Sequence, residues 1–233
     1  MTERYDIGII GAMEGEVASI ISRLEDKASE NISGILFYTG RLYGKRVAVA
    51  KCGIGKVFAA ICTEAMILKY SPRLIVNTGV GGALDKSLRP LDIVFATRLV
   101  QHDMDTSALG DPKGLVSGIN MIYFDADTRA VEILSGAAER LGVGYKTGVI
   151  ASGDRFVAES SDKARIVEDF GASACEMEGA AVAQVAFVNA TAFAVVRAIS
   201  DSADGDASMD YMTFLPRAAE ISTALTLSLV EAY

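Results

Sequence analysis

The stretch YDIGIIGAMEGEVASIISRL (Tyr5–Leu24) holds both halves of an α/β unit. Tyr5–Gly11 is a short apolar run closed by glycine, which reads as a buried strand. Directly after it, Val17, Ile20, Ile21 and Leu24 fall at helical spacing. A buried strand that runs straight into an amphipathic helix is the repeating element of a sheet covered by helices.

The succession recurs along the chain. GIGKVFAAICTEAMILKY opens on glycines and becomes an Ala-rich helix, RLIVNTGVGGAL reads as a strand running into a Gly-rich turn, and LDIVFATRLV reads as a further strand. ADTRAVEILSGAAERLG is an amphipathic helix, YKTGVIASGD a strand ending in Gly153-Asp154, and SSDKARIVEDF a helix with a serine N-cap. CEMEGAAVAQVAF (Cys175–Phe187) reads as an oily helix headed by Glu176 and Glu178. TAFAVVRAISD is a strand, and FLPRAAEISTALTLSLVEAY the closing helix. ILFYTGRL and KRVAVAKC meet at Tyr43-Gly44, a hairpin signal. Residues 101–124, with Gly110, Asp111, Pro112, Gly114 and Gly118, read as a long functional loop. No linker or repeat interrupts the alternation, so residues 1–233 are expected to form a single α/β domain.

Composition narrows the function classes. Of the 233 residues 51% are hydrophobic, which argues against disorder, and 22% are charged. The net charge of −8 comes without a Lys/Arg cluster, so no nucleic-acid partner is expected. Cys52, Cys62 and Cys175 lack CxxC spacing and lie in apolar surroundings, which reads as buried free thiols with no zinc site. The N-terminus lacks a signal-peptide pattern and no apolar run reaches membrane-spanning length. A cytoplasmic protein without membrane contact is the plain expectation.

Ligands of open α/β sheets sit at the carboxyl ends of the strands. Standing there are Met13, Glu14 and Glu16, then Thr78–Gly82, then Asp154 and Phe156, then Ser200 and Asp201, with Glu178 in the first turn of its helix. This set holds several carboxylates, one aromatic, one methionine and no obvious cation. The glycine clusters match neither a GxGxxG nor a P-loop pattern, and tight turns would explain them without a ligand. A helix N-terminus favours an acid by a few tenths to about 1 kcal/mol, so capping alone would explain Glu176 or Glu178. Arg197, buried by its strand, needs a partner, and Glu176 or Glu178 is the candidate.

In chain order, the motifs IGIIGAMEGEV, KCGIGKV, NTGVGGAL, HDMDTSALG, ASGDRF, CEMEGAAVA and VVRAISDSAD resemble those of the 5′-methylthioadenosine/S-adenosylhomocysteine nucleosidases, within the nucleoside phosphorylase superfamily. The resemblance runs from Ile7 to about Leu215. It implies a single-domain, three-layer α/β/α fold with a central mixed sheet. It also implies hydrolysis of the N-glycosidic bond between adenine and a 5′-thio-substituted ribose, with no cofactor and no metal. Such a reaction builds positive charge on the ribose and negative charge on the departing base.

The resemblance assigns Asp201 as the acid toward adenine N7, which requires an environment that favours its protonated form, with Ser200 fixing its orientation. Glu178 would hold the ribose hydroxyls and face the developing cation, and Glu16 would activate the water. Phe156 would stack on adenine, the Val157 backbone would read the base edge, and Met13 and Met177 would pack around sugar and water. Tyr211 stands where the family usually has Phe. Glu176 remains a cap, a ribose neighbour or a partner for Arg197. A homodimer is implied, in which loop 102–112 of one copy, with Thr106 and Leu109, closes the other copy's 5′ pocket. Leu109 replaces a bulkier aromatic, Val80 replaces a serine near the nucleophile, and Gly15 stands in place of a further Glu. His102, the only histidine, reads as structural, and Asp103 and Asp105 as loop-ordering.

Three rivals share these residues. A phosphorylase would need cations for phosphate, but Asn77 and Val80 stand where related phosphorylases place Arg and Ser, and Arg41 reads as a distractor. A 6-amino-6-deoxyfutalosine hydrolase would differ at the 5′ pocket. A non-catalytic nucleoside-binding protein would not depend on Glu16, Glu178 and Asp201.

Overall fold

Period-2 alternation inside the strands decides how the layers stack. The computed structural model describes residues 4–201 and 207–233, without the side chains of 207–211. In β1 (Ile7–Gly11), Ile7 and Ile9 enter one hydrophobic cluster while Ile10 enters another. β5 (Leu74–Ala83) repeats this, with Leu74 and Val76 on the first side and Ile75 on the second. In β10 (Ala192–Asp201), Ala194, Val196 and Ala198 face the first, and Phe193, Val195 and Ile199 the second. Strands apolar on both faces must be covered on both faces. Each fully buried Ile, Val or Phe contributes about 1.5–3 kcal/mol to keeping the layers together.

The first cluster is closed by α1 (Glu14–Ser22), α3 (Thr128–Leu141) and α6 (Ala207–Ala232). The second is closed by α2 (Lys56–Tyr70) and α5 (Gly179–Val188). A third, smaller cluster lies under α4 (Ser160–Phe170) against β8 (Tyr145–Ser152) and β9 (Ala172–Glu176). The chain thus has the expected α/β fold with a central mixed sheet between helical layers.

Among the described residues ten strands form one sheet. β1 pairs in parallel with β4 (Lys45–Lys51) and with β5, and β5 pairs in parallel with β10. β10 also pairs antiparallel with β6 (Ile93–Gln101), which continues through β8 and β9 back to β5. The order β10-β6-β8-β9-β5 therefore closes into a ring, and β1, β4, β3 (Ile35–Leu42) and β2 (Glu25–Ile32) extend from it. Parallel pairing of β1, β5 and β10 brings Gly11, Gly82 and Asp201 to one end of the sheet.

The β3–β4 hairpin turns at Tyr43-Gly44, both at positive φ (49° and 76°), as a two-residue hairpin requires. Cys52, Cys62 and Cys175 are free and buried. No described helix is long and apolar enough to cross a membrane.

Four local expectations are corrected. CEMEGAAVAQVAF is not one helix: Cys175 and Glu176 end β9, Met177 is in the connection, and α5 starts at Gly179 with Glu178 at its N-cap. The glycines after Asn77 are not a turn; β5 runs through them to Ala83. α4 has Glu159, not serine, at its N-cap, without a side-chain capping bond. β2, β9 and the short β7 (Tyr123–Asp125) are additional strands, β7 lying at the end of the stretch read as loop.

Candidate active site

A cavity of about 290 Å³ opens at the end of the sheet where β1, β5 and β10 finish. Met13, Glu16, Val80, Phe156, Val157, Glu176, Met177, Glu178, Ser200 and Asp201 all contribute to its wall. So do Ala12, Ile54, Arg155 and Cys175, which the sequence reading did not single out for the site. Thr106 and Leu109 are not brought to this wall within one chain. Thr106 Oγ1 donates to Asp111 Oδ2 at 2.9 Å, and Leu109 is 84% exposed. The Tyr211 side chain lies outside the described residues.

Glu16 sits in the first turn of α1, buried under the β1–α1 connection. Its Oε2 accepts the Ala12 and Met13 N–H groups at 2.7 and 2.9 Å, and its Oε1 accepts Val80 N–H at 3.3 Å. Val80 therefore contacts this carboxylate through its backbone despite lacking a hydroxyl. Burial raises the Glu16 pKa, against the nearby Arg197 charge and the backbone donors. β5 approaches so closely that a Cβ on Gly79 would lie 2.6 Å from Glu16 Oε1, and one on Gly82 2.9 Å from Asp201 Oδ2. The glycines let the strand run directly beneath both acids, which is why strand rather than turn geometry persists there.

The two acids of the opening of α5 have different surroundings. Glu176 Oε2 accepts Glu178 N–H at 3.0 Å and Gly179 N–H at 2.8 Å, and Oε1 accepts Gly179 N–H at 3.0 Å and the Ser152 hydroxyl. It also binds the Arg197 guanidinium through Nη2 and through Nε at 3.1 Å. Glu176 thus caps the helix that follows it and is the close partner Arg197 requires. Ser152 Oγ in turn accepts Ala180 N–H at 2.7 Å. Glu178 does not cap its own helix; its Oε1 accepts the Gly55 N–H at the head of α2, at 2.8 Å. Its Oε2 is 3.8 Å from Arg197 Nη2. Burial first, and then the Glu176 charge, raise the Glu178 pKa to about 7.

Arg197 is fully buried on the α5 face of β10, the face of Val195 and Ile199. Beyond Glu176 it donates to Asn77 O at 3.2 Å, Asn77 Oδ1 at 2.5 Å and Val196 O at 3.0 Å. Asn77 donates its own amide to Ile10 O at 3.0 Å. Asn77 thus serves as a strut between β1 and Arg197. Burial opposes the Arg197 charge, and the surrounding Glu176, Glu178 and Glu16 outweigh it, so its pKa is raised.

Asp201 ends β10 and is buried. Ser200 Oγ lies 3.0 Å from Asp201 Oδ1 and 3.3 Å from Gly81 O. Lys163 Nζ, from α4, is 3.4 Å from Asp201 Oδ2, and both side chains are buried. The sequence reading found no cation here. Lys163 falls in an amphipathic helix with Asp162, Arg165 and Glu168 around it, the pattern of an exposed face, and no sequence signal separates it from surface lysines.

Loops around the cavity are tied by charge. Lys56 Nζ contacts Asp103 Oδ1 at 2.6 Å, and Asp103 Oδ2 accepts Asp154 N–H at 2.9 Å. Asp154 Oδ1 accepts Lys56 N–H at 2.7 Å. This joins the head of α2, the 102–112 loop and the Asp154–Val157 segment. Asp105 accepts Ser107 N–H at 2.8 Å within its own loop. His102 is partly buried, its Nε2 has no hydrogen-bond partner among the described residues, and burial lowers its pKa. Arg41 donates to Gly44 O in the β3–β4 hairpin and is not part of the cavity wall.

Comparison with known proteins identifies the family of the whole chain. A model of the phosphorylase superfamily matches residues 6–231. A 5′-methylthioadenosine/S-adenosylhomocysteine nucleosidase of Haemophilus influenzae is 38% identical over 97% of this chain and 98% of its own length. The nucleosidase of the same name from Neisseria meningitidis, solved in complex with methylthio-immucillin-A, superposes with a TM-score of 0.94 at 35% identity, covering 98% of this chain and all (100%) of that one. A futalosine hydrolase of Helicobacter pylori superposes with a TM-score of 0.93 at 36% identity, covering 98% of each chain. With a superfamily match across nearly the whole sequence and a full-length relative at this identity, the chain belongs to the phosphorylase superfamily and, within it, to the 5′-methylthioadenosine/S-adenosylhomocysteine nucleosidases.

Proposed function

We propose that the chain, as one domain over residues 1–233, hydrolyses the N-glycosidic bond of 5′-methylthioadenosine, S-adenosylhomocysteine and related 5′-substituted adenosines to adenine and the (thio)ribose. The observation that carries this reading is the convergence of three buried carboxylates, Glu16, Glu178 and Asp201, on one cavity with Phe156 in its wall. The inhibitor bound to the Neisseria relative supports the substrate class.

Phe156 and the Val157 backbone hold adenine, with its N7 toward Asp201. Met13 and Met177 pack around the ribose, and Glu178 accepts its hydroxyls. As the C–N bond breaks, its electron pair leaves with adenine and Asp201 gives its proton to N7, becoming a carboxylate. Glu178, beside the ribose, stabilises the cationic sugar, and its partial charge depends on pH because its pKa lies near 7. Glu16 takes a proton from the water that adds to the anomeric carbon. After product release the proton on Glu16 passes to solvent and solvent reprotonates Asp201, so the net reaction consumes one water. Burial raises the Glu16 pKa, which makes the carboxylate a stronger proton acceptor, and the backbone donors hold it in place beside the water. General acid and base groups in these roles contribute about 10²–10⁴-fold each.

The described cations support water rather than phosphate as the nucleophile. Arg197 is held by Glu176 and Asn77, Lys163 lies on Asp201, and Arg155 pairs with Asp162. The chain is further proposed to act as a homodimer, with loop 102–112 of one copy completing the other's 5′ pocket. The exposure of Leu109, together with that of Ile54 just before α2 and of Val57, Phe58 and Ile61 along it, supports this.

The test is adenine release from methylthioadenosine, S-adenosylhomocysteine, 5′-deoxyadenosine and 6-amino-6-deoxyfutalosine, with and without phosphate, alongside equilibrium sedimentation. Phosphate-independent release by a dimer is expected. Strict phosphate dependence would overturn the hydrolase reading, and a purely monomeric active enzyme the shared site. The resemblance to futalosine hydrolase at TM-score 0.93 favours a second reading, in which the futalosine-type substrate is the fastest of the four.

A further inference from the structure

Lys163 is placed where two effects disfavour a cation. It lies in the first turn of α4, facing the positive end of that helix's dipole, and its side chain is 5% exposed. Burial alone would be expected to move a lysine outward, since its flexible stem readily carries the ammonium to water. Instead Nζ sits 3.4 Å from Asp201 Oδ2. Packing of α4 does not require this, because Ile166 and Phe170 supply its apolar face.

We propose that Lys163 is a positioning residue of the reaction: its ammonium orients the Asp201 carboxyl and stabilises the carboxylate left behind when the proton moves to the departing base. The inference rests on the role of Asp201 as acid. Before the proton leaves, Asp201 is neutral and gains little from the ammonium. Afterwards it is a buried anion, and a fixed cation already in place is worth most at that moment. The same cation makes Asp201 a stronger acid, so fewer molecules hold the proton at high pH. Lys163 therefore trades part of the protonated population for easier proton donation, the balance a general acid requires.

Among the described residues, Lys163 also lines a surface hollow with Asp85, Lys86 and Glu168, and Asp85 is paired with Lys146. The Cys175 thiol on β9 is pushed up to about 12, by burial and then by Asp201, and so stays neutral. Glu16 and Glu178 stand in the walls of the same cavity, with the buried Arg197 near both. Asp162, the neighbour of Lys163 in α4, is taken by Arg155 and Arg165.

The experiment measures kcat/KM for adenine release from methylthioadenosine across pH in the wild type, Lys163→Met, Lys163→Gln, Lys163→Arg and Asp201→Asn. Removing the cation is expected to lower kcat/KM at neutral pH by tenfold or more and to move the alkaline limb upward by about one pH unit. Lys163→Arg is expected to restore activity to within a few-fold, with its limb near the wild-type position. Wild-type rates and an unmoved limb in a folded neutral variant would overturn the proposal, because a purely structural lysine would not shift that limb. If neither neutral variant folds, Lys163→Arg decides: an active enzyme with the wild-type limb supports the proposal, and an inactive one overturns it. A wild type that releases no adenine, or an Asp201→Asn that turns over normally, would instead bring down the acid assignment itself.

Discussion

Two buried acid–cation pairs stand at the carboxyl end of the same sheet, and they are built differently. In the first, Arg197 grips Glu176 through Nε and Nη2, while backbone N–H groups of Glu178 and Gly179 fill the same carboxylate. In the second, the compact Lys163 ammonium approaches Asp201 at 3.4 Å, beside the Ser200 hydroxyl. A guanidinium fork locked to a carboxylate and a helix end fixes geometry. A point charge on a flexible stem can stabilise an anion that comes and goes. The first pair holds the β9–α5 junction in place, and the second is the one suited to a group that must give up a proton.

The largest expected effect falls on the second pair. Asp201→Asn should lower kcat for adenine release by about 10²–10⁴-fold while the chain stays folded. Near-normal turnover would erase the distinction between the pairs. For the first pair the expected effect is on stability. Glu176→Gln leaves Arg197 buried without its main anion and should cost about 3–5 kcal/mol in denaturant unfolding. A variant of unchanged stability whose turnover alone collapses would move Glu176 into the reacting set.

The smallest effect sharpens the comparison through Glu178, which lies in sequence between the two members of the first pair. Its folded pKa, about 7, is above the ordinary 4.5, so between these values the folded state binds more protons than the unfolded one. Its contribution to stability is thus fully present below about pH 4.5 and is lost as pH rises through about 7, an effect on the order of a few kcal/mol at most. Comparing unfolding free energies of wild type and Glu178→Gln over that window isolates it. Parallel curves would mean that Glu178 has no raised pKa.

The sequence made the α/β alternation legible because strands such as β1, β5 and β10 are apolar on both faces, and helices such as α3 carry a single apolar stripe. It was silent where that contrast is absent. β2, EDKASENI, is an almost wholly exposed edge strand whose charges hide its period. β9, ASACE, has only small residues and runs into the apolar helix after it, so the two merge when read by hydropathy. The acids at the cavity were visible as residue types at strand ends. The role of Glu176 was not, because its partners Ser152 and Arg197 are 24 and 21 residues away in sequence. Lys163 escaped for the same reason: it contacts Asp201 across 38 residues.

What the sequence determined by itself is local and periodic: that strands apolar on both faces alternate with amphipathic helices, that the thiols lie in apolar runs, and which acids stand near strand ends. Those features follow from the preferences of neighbouring residues. Only the tertiary structure decided which acid is tied to which cation, that GVGG continues as strand beneath Glu16 and Asp201, and that β5, β9, β8, β6 and β10 close into a ring. The physical reason is that a buried charge depends on what packs within a few ångströms of it, and here those neighbours come from β5, β9, β10 and α4, elements brought together only by the pairing of the sheet.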